Sequence, residues 1–453
     1  MGALDWLRAR MVMRTQAEAM VWRDAGYRYA DLLALWDEAG RALDAYGVGA
    51  GRVVSLEADY APHAVAMLLA LVDRAAVVVP LTGAVRGERA GFLQVAEVGE
   101  RVLASPEEEW MVLPGPAPGG PCHELTRALV ARGHPGLVLF SSGSTGVAKA
   151  ALHDLAVLLE KFQATRAGAG QRTLAFLLLD HIGGLNTLFH VLASGGAAVS
   201  VGARDPDTVC EAVARHRVEL LPTSPTFLNL LLISEAYARH DLSSLRRVTY
   251  GTEVMPRSTL QRLGEVLPGV ALTQTYGLSE VGILRAKSRD SSSLWVRVGG
   301  EGFETKVVDG TLRIRARSAM LGYLNHPSPF DADGWLDTGD LVETDGGWLR
   351  FLGRRSEVVN VGGLKVYPAE VESVLLDMDG VRDAVVRGEP SPITGQVVVA
   401  RVTLDQPEEA AAFKRRMRAF CGARLAPFKV PVKVEFATGE QHSARYKRIR
   451  NVP

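Results

Sequence analysis

Two short apolar runs, Val53-Val54-Ser55-Leu56 and Ala76-Val77-Val78-Val79-Pro80, flank a helix-patterned stretch over residues 62–74. Strands separated by a helix-length connection cannot close as a tight hairpin. The crossover imposes a parallel pair with the helix packed on one face. The alternation returns further along. Strands are expected at 174–179, 197–201 and 218–221, with helices at 186–193 and 207–216 between them. The chain therefore predicts two parallel-sheet α/β units. Ahead of the first, Leu32, Leu33, Leu35, Trp36, Ala39, Leu43 and Tyr46 recur at helical spacing and predict an amphipathic helix over 28–48. Asp31 is placed to cap its start, and Gly47 and Gly49 to end it. Residues 105–121, rich in Pro, Gly and Glu, read as a surface loop.

Between 296 and 352 the pattern changes. Short strands at 305–308, 312–315 and 348–352 are separated by Asp-Gly and Gly-Gly turns, which predicts hairpins in a small barrel. After residue 356 a compact α+β pattern begins, with strands at 358–361, 384–387, 396–403 and 432–437 and helices at 368–377 and 407–424. The fold class expected is α/β: a large N-terminal domain, residues 1–353, and a small mobile α+β C-terminal domain, residues 354–453. Lys+Arg and Asp+Glu balance at 51 each, so no excess charge recruits nucleic acid or an anionic membrane surface. Three scattered cysteines form no disulfide framework, the start lacks a secretory leader, and no apolar run is long enough to span a bilayer; the expected setting is the cytoplasm.

Phe140-Ser-Ser-Gly-Ser-Thr-Gly-Val-Ala-Lys149 follows a buried-strand pattern. Its glycines permit a sharp turn whose backbone N–H groups face one way, its hydroxyls add donors, and Lys149 adds charge. These parts suit a polyphosphate, although the spacing is not that of the P-loop. Three weaker signals follow in order: Thr275-Tyr-Gly-Leu-Ser-Glu280, Asp333-Gly-Trp-Leu-Asp-Thr-Gly-Asp340, and a stretch from Gly353-Arg-Arg-Ser-Glu357 through Gly362-Gly363 to Glu372. Singly, each reads as a polar turn or a basic linker. Their order, together with Tyr250-Gly-Thr-Glu253 and an opening from Tyr27 to Leu81, resembles the superfamily of AMP-forming acyl-CoA synthetases, nonribosomal adenylation domains and luciferases.

That resemblance implies an acyl adenylate made from ATP and a carboxylic acid, with pyrophosphate released, then acyl transfer to CoA or to a pantetheine-bearing carrier protein. It implies that Ser141, Ser142, Gly143, Ser144, Thr145, Gly146 and Lys149 wrap the outer phosphates, with Thr145 and Glu280 beside Mg2+. Tyr276 would stack on adenine. Gly251, Thr252, Glu253, Thr275, Gly277 and Ser279 would shape the surrounding pocket. Asp340 would accept both ribose hydroxyls and Arg354 would approach from the hinge. Asp180, His181, Ser224, Gly251 and Gly282 would wall the acid, and Gly362 and Gly363 would line the path of a thiol. Small and polar residues there favour a modest, aromatic acid over a long fatty chain.

Adenylation joins two anions and needs positive charge at the α-phosphorus more than acid–base help. Lys447, in Ser443-Ala-Arg-Tyr-Lys-Arg-Ile-Arg450, resembles the family's C-terminal lysine; Lys429 belongs to another segment. Two departures stand out: Tyr446 where the family usually has glycine, and Ser356 at the hinge where it often has Asp or Lys. His181 also reads as a structural histidine at a strand end, and Asp180 as a cap or as a holder of a substrate amine. Two alternatives stay open: an enzyme that activates an unusual oxyanion such as nitrite or passes its adenylate to an amine, and a nucleotide-binding protein without catalysis. A dinucleotide oxidoreductase is set aside, since no GxGxxG follows a first strand.

Overall fold

The computed structural model describes residues 2–104, 110–117, 119–141, 148–168, 170–437, 439, 441–443 and 445–450. Three seven-stranded sheets and one five-stranded sheet organise it. In the first, Gly136–Ser141, Val77–Leu81, Val53–Glu57 and Glu100–Ala104 run parallel in that spatial order. Every residue of Val53–Glu57 and of Val77–Leu81 is buried, as expected of strands covered on both faces. Antiparallel strands finish the sheet on both sides: Trp110–Pro114 on one, Lys149–Asp154 and then Gly322–Tyr323 on the other.

The second sheet orders Ala271–Gln274, Arg247–Tyr250, Leu220–Thr223, Arg172–Leu174, Ala197–Val199, Glu18–Trp22 and Ala25–Arg28. All pairs are parallel except the last, a hairpin turning at Arg23 and Asp24, both with positive φ. Helices Ile182–Ser194, Pro206–His216, Pro225–Ser234 and Arg257–Val266 alternate with these strands. The two α/β units expected are thus present. The third sheet is antiparallel, from Tyr276–Leu278 at one end to Phe303–Val308 at the other, and it curls until Phe303–Val308 packs back beside Val296–Gly299.

The chain leaves the third sheet at Arg354 and makes one 3₁₀ turn, Arg355–Glu357, before the fourth. There Leu364–Val366, Val359–Val361, Gly395–Leu404 and Val381–Ser391 pair antiparallel, and Lys433–Phe436 joins Gly395–Leu404 in parallel. Helices Pro368–Leu376 and Ala410–Gly422 bury Val371, Leu375, Phe413, Met417 and Cys421 against Val386 and Val402, a core separate from those of the larger part. Among the described residues no helix is long and apolar enough to cross a membrane.

Three local expectations are corrected. The strand at 174–179 is only Arg172–Leu174; beyond it the chain is irregular and turns, with His181 N–H donating to Leu178 O at 3.1 Å, into the helix Ile182–Ser194 that His181 caps. The loop at 105–121 contains the edge strand Trp110–Pro114, whose half-exposed face hid it among Pro and Gly. Asp31 is not ahead of its helix: it is the third residue of Tyr29–Ala45 and reaches back to accept the Arg28 N–H at 2.7 Å.

Candidate functional site

The candidate site opens at the C-terminal ends of Arg247–Tyr250 and Ala271–Gln274, where open parallel sheets present their crevices. Gly251 leaves the first strand and Thr275 the second. They lie so close that a Cβ on Gly251 would stand 2.6 Å from Thr275 Oγ1 and 2.9 Å from its carbonyl oxygen. Thr275 N–H donates to Tyr250 O at 2.7 Å, closing the two strand ends together. Thr252 then takes φ +73°, a conformation uncommon for a residue with a side chain and frequent at functional turns. Gly277 sits in the narrow hairpin between Tyr276–Leu278 and Gly282–Ser288, where a Cβ would meet Gly282 O at 2.7 Å, and Ser279 lies in its turn.

Tyr276 is buried, its ring stacked on Phe351 at 4.6 Å and 19°. Its hydroxyl donates to Asp340 Oδ2 at 2.6 Å. Asp340 is the register partner of Arg354, whose Nε stands 3.4 Å from Asp340 Oδ1. Burial raises the Asp340 carboxyl above the usual carboxylate range, while the Arg354 charge and the Tyr276 hydrogen bond pull it back. Glu280 accepts from the Tyr323 hydroxyl at 2.5 Å, and the Lys149 ammonium lies 5.3 Å from the Tyr323 ring centre. Lys149 pairs with Ser141 across the strands that frame the glycine/hydroxyl loop. Ser142, Gly143, Ser144, Thr145 and Gly146 lie outside the described residues. Among those described, no cluster of three or more His, Cys, Asp or Glu is arranged to hold a metal ion. One carboxylate with phosphate oxygens is a sparse donor set that Mg2+ accepts, and Glu280 is of the type to supply it.

The remaining parts come from the C-terminal domain. His442 and Arg448 form a bridge and Ser443 N–H donates to Lys447 O at 2.8 Å, which closes a tight hairpin. It sets the Lys447 ammonium, partly buried, in the field of Glu253, Glu280, Arg445 and Arg354. Burial lowers its pKa below the ordinary lysine range; Glu253 and Glu280 oppose that, and Arg445 and Arg354 add to it. His181 stands beside it. Burial, then the Lys447 and Arg445 charges, hold His181 neutral, its pKa well below the usual value. His181 Nδ1 accepts the Gly183 N–H at 3.1 Å as the cap of Ile182–Ser194, which leaves the ring proton on Nε2.

The hairpin is tied down on several sides. Arg448 N–H donates to Glu253 Oε1 at 2.6 Å, and Glu253 Oε2 accepts from Thr226 Oγ1 at 2.6 Å. Ser224 Oγ donates to Tyr446 O at 2.7 Å. Arg445 donates to Asp180 Oδ2 at 3.3 Å, an oxygen that also accepts from Thr82 Oγ1 at 2.7 Å. The Arg448 and Arg450 guanidiniums close on Glu372.

Among the described residues, those expected from the sequence come together, with three qualifications. Gly362 and Gly363 form an exposed turn with nothing within 4 Å of where a Cβ would stand. Lys429 is held on its own domain by both oxygens of Glu370 at 2.7 Å. Gly282, at φ +84°, faces Leu158 rather than another of the expected acid-wall residues. Sequence reasoning missed Tyr323, Phe351 and Arg445 as neighbours of the site, since no local spacing ties them to Glu280, Tyr276 or Asp180.

Comparison with known proteins identifies the family of the chain. The family model described as AMP-binding enzyme matches residues 7–324, and that of the AMP-binding enzyme C-terminal domain matches 370–445. A 3-[(3aS,4S,7aS)-7a-methyl-1,5-dioxo-octahydro-1H-inden-4-yl]propanoyl:CoA ligase of Rhodococcus jostii (strain RHA1) is 31% identical over 70% of this chain and 64% of its own length. The indoleacetate–CoA ligase of Aromatoleum aromaticum (strain DSM 19018 / LMG 30748 / EbN1) is 30% identical over 67% of this chain and 63% of its own. The matched stretch thus spans less than two thirds of these relatives. The crystal structure of the anthranilate CoA ligase AuaEII in complex with anthranoyl-AMP superposes with a TM-score of 0.84 at 22% identity, covering 99% of this chain and 95% of that one.

Proposed function

Because the chain belongs to the AMP-binding enzyme family, we propose that it activates a carboxylic acid with ATP as an acyl adenylate, releases pyrophosphate, and passes the acyl group to a thiol. The observation that carries this reading is Lys447, brought by the C-terminal hairpin into the field of Glu253, Glu280 and His181, with the hairpin tied to the large domain through Arg448 N–H and Glu253. A partly buried ammonium in a crevice is the device that an in-line attack of one anion on another calls for.

In this reading Tyr276, backed by Phe351, stacks on adenine, with Gly251 and Thr252 opposite. Asp340 exchanges its Tyr276 bond for the ribose hydroxyls, and Arg354 keeps that carboxylate charged. Ser141–Lys149 wraps the outer phosphates. Mg2+, held by Glu280 and Thr145, would neutralise phosphate charge. The acid lies between His181, Ser224 and Gly251, and its carboxylate attacks the α-phosphorus while Lys447 neutralises charge there. The neutral His181 offers its Nε2–H as a donor. The acceptor is CoA or a pantetheine carrier, which Gly362 and Gly363 would meet once the small domain turns. The acids named for relatives run from ring-bearing acids to a long-chain fatty acid, so the preference for a compact acid rests on the small and polar residues of the wall.

The test is pyrophosphate release from Mg·ATP across benzoates, cinnamates, short and long fatty acids, amino acids and nitrite, each with CoA, with hydroxylamine and with neither. Release with one acid class plus a CoA thioester is expected. Release without thioester would redirect the acceptor to a carrier protein or an amine. ATP binding with no release from any acid would refute adenylation.

A further inference from the structure

The residue ahead of Lys447 is Tyr446, and its backbone stands at φ +52°. Glycine adopts that conformation without steric cost, whereas a side-chain-bearing residue held there needs contacts that over-determine it. Tyr446 has them. Its ring meets Phe176 at 5.5 Å and 41°, and Phe227 edge-on at 5.5 Å and 89°. His442 stacks on it at 5.1 Å and 18°, which braces the hairpin from within. The Arg204 guanidinium lies 5.6 Å from the Tyr446 ring centre and 5.7 Å from that of Phe176. Phe176 and Phe227 are fully buried in the second α/β unit. A ring of the C-terminal domain is therefore seated on the core of the large domain.

The same seat grips the main chain. Ser224 Oγ caps Pro225–Ser234 by accepting the Phe227 N–H at 3.2 Å, and it donates to Tyr446 O at 2.7 Å. Ring and carbonyl of one residue are thus fixed by the start of one helix. The next side chain in sequence is the lysine, so the direction of Lys447 is set by how Tyr446 sits.

We propose that Tyr446 is a positioning residue, and that its ring, seated against Phe176 and Phe227, sets the depth at which the Lys447 ammonium enters the site. This rests on the adenylation reading above. Neighbouring backbone ties, such as Arg448 N–H to Glu253, would form with any residue at 446. The ring contacts would not.

The experiment compares Tyr446→Gly with Tyr446→Phe. Glycine relieves the backbone while removing the seat; phenylalanine keeps the ring. Tyr446→Gly is expected to lower acid-dependent ATP–pyrophosphate exchange about tenfold or more, with ATP affinity held within about twofold. Acyl transfer from a supplied adenylate to CoA should persist, and the alkaline limb of exchange should move toward higher pH as the ammonium becomes better solvated. Tyr446→Phe should stay within about threefold of wild type in exchange. Exchange at wild-type rate in Tyr446→Gly, or equal loss of both half-reactions, would overturn the proposal. If the wild-type chain releases no pyrophosphate with any acid, the adenylation reading falls, and amide hydrogen exchange over residues 441–450 decides the seat. Faster exchange in Tyr446→Gly alone supports it; unchanged exchange in both variants overturns it.

Discussion

Replacing Lys447 with alanine removes one positive charge from a crevice that holds Glu253, Glu280 and Arg354 around it. Two unit charges at about 4 Å and an effective dielectric of about 20 interact by about 4 kcal/mol. Charge builds only partly at the α-phosphorus, so about 3 kcal/mol is the expected loss of transition-state stabilisation, or about a hundredfold in rate. The nucleotide contacts assigned to Tyr276, Asp340 and Gly251 are untouched, so the ATP dissociation constant should move by less than about threefold. The assay is acid-dependent ATP–pyrophosphate exchange beside direct ATP binding. The wild-type profile carries a further signature. Burial lowers the Lys447 pKa, so its charge is lost as pH rises through a value below the ordinary lysine range. Glu253→Gln removes an attraction that holds the proton on, and should shift that loss to lower pH. Wild-type exchange in Lys447→Ala, or an ATP-affinity loss large enough to explain the whole defect, would refute the reasoning.

Three other outcomes are expected. Asp340→Ala should weaken ATP binding by about tenfold to a hundredfold, since charged hydrogen bonds are worth about 1.5–3 kcal/mol; isothermal titration measures it, and unchanged affinity would remove Asp340 from the ribose. Gly251→Ala would drive a methyl to 2.6 Å from Thr275 Oγ1 and 2.9 Å from Thr275 O, costing about 1–3 kcal/mol, visible as a lowered denaturation midpoint. Glu372→Ala would leave the Arg448 and Arg450 guanidiniums without their shared carboxylate and cost about 3–5 kcal/mol. Burial opposes the Glu372 charge, but Arg450, Arg448 and the Val386 N–H outweigh it and lower its pKa. Its stabilisation is therefore present above the unfolded-state carboxylate pKa and lost as pH falls through the depressed folded value, which acid titration of the wild-type unfolding midpoint should reveal.

The parts of the fold legible in the sequence are those governed by local pattern. All-apolar Val77-Val78-Val79 reads as an interior strand, and the helical pattern over 207–216 forms the helix Pro206–His216. The hairpin of Glu18–Trp22 and Ala25–Arg28 escaped because its turn uses Arg23 and Asp24 in left-handed conformations, where glycine would have announced it. In the site, Tyr276, Glu280, Asp340 and Lys447 were legible because each sits in a motif. Their supports were not. Tyr323 bonds Glu280 from 43 positions away and Arg445 reaches Asp180 from 265 positions away, distances at which only the assembled fold makes neighbours.

The closing strand of the first sheet has a consequence for how the molecule is made. Lys149–Asp154 receives its outer partner only from Gly322–Tyr323, and Asn325, whose side chain bonds the Ala150 N–H, lies 175 positions downstream. Glu18–Trp22 likewise waits for Ala197–Val199 before it has a place in the second sheet. While the chain emerges, these two strands are paired on one side only, with Gly136–Ser141 and Ala25–Arg28, and their other edges stand open. Loop closure over such spans is slow, and open strand edges invite association with other chains. Yield in a heterologous host should therefore depend on translation speed and chaperone supply more than on the stability of the finished protein.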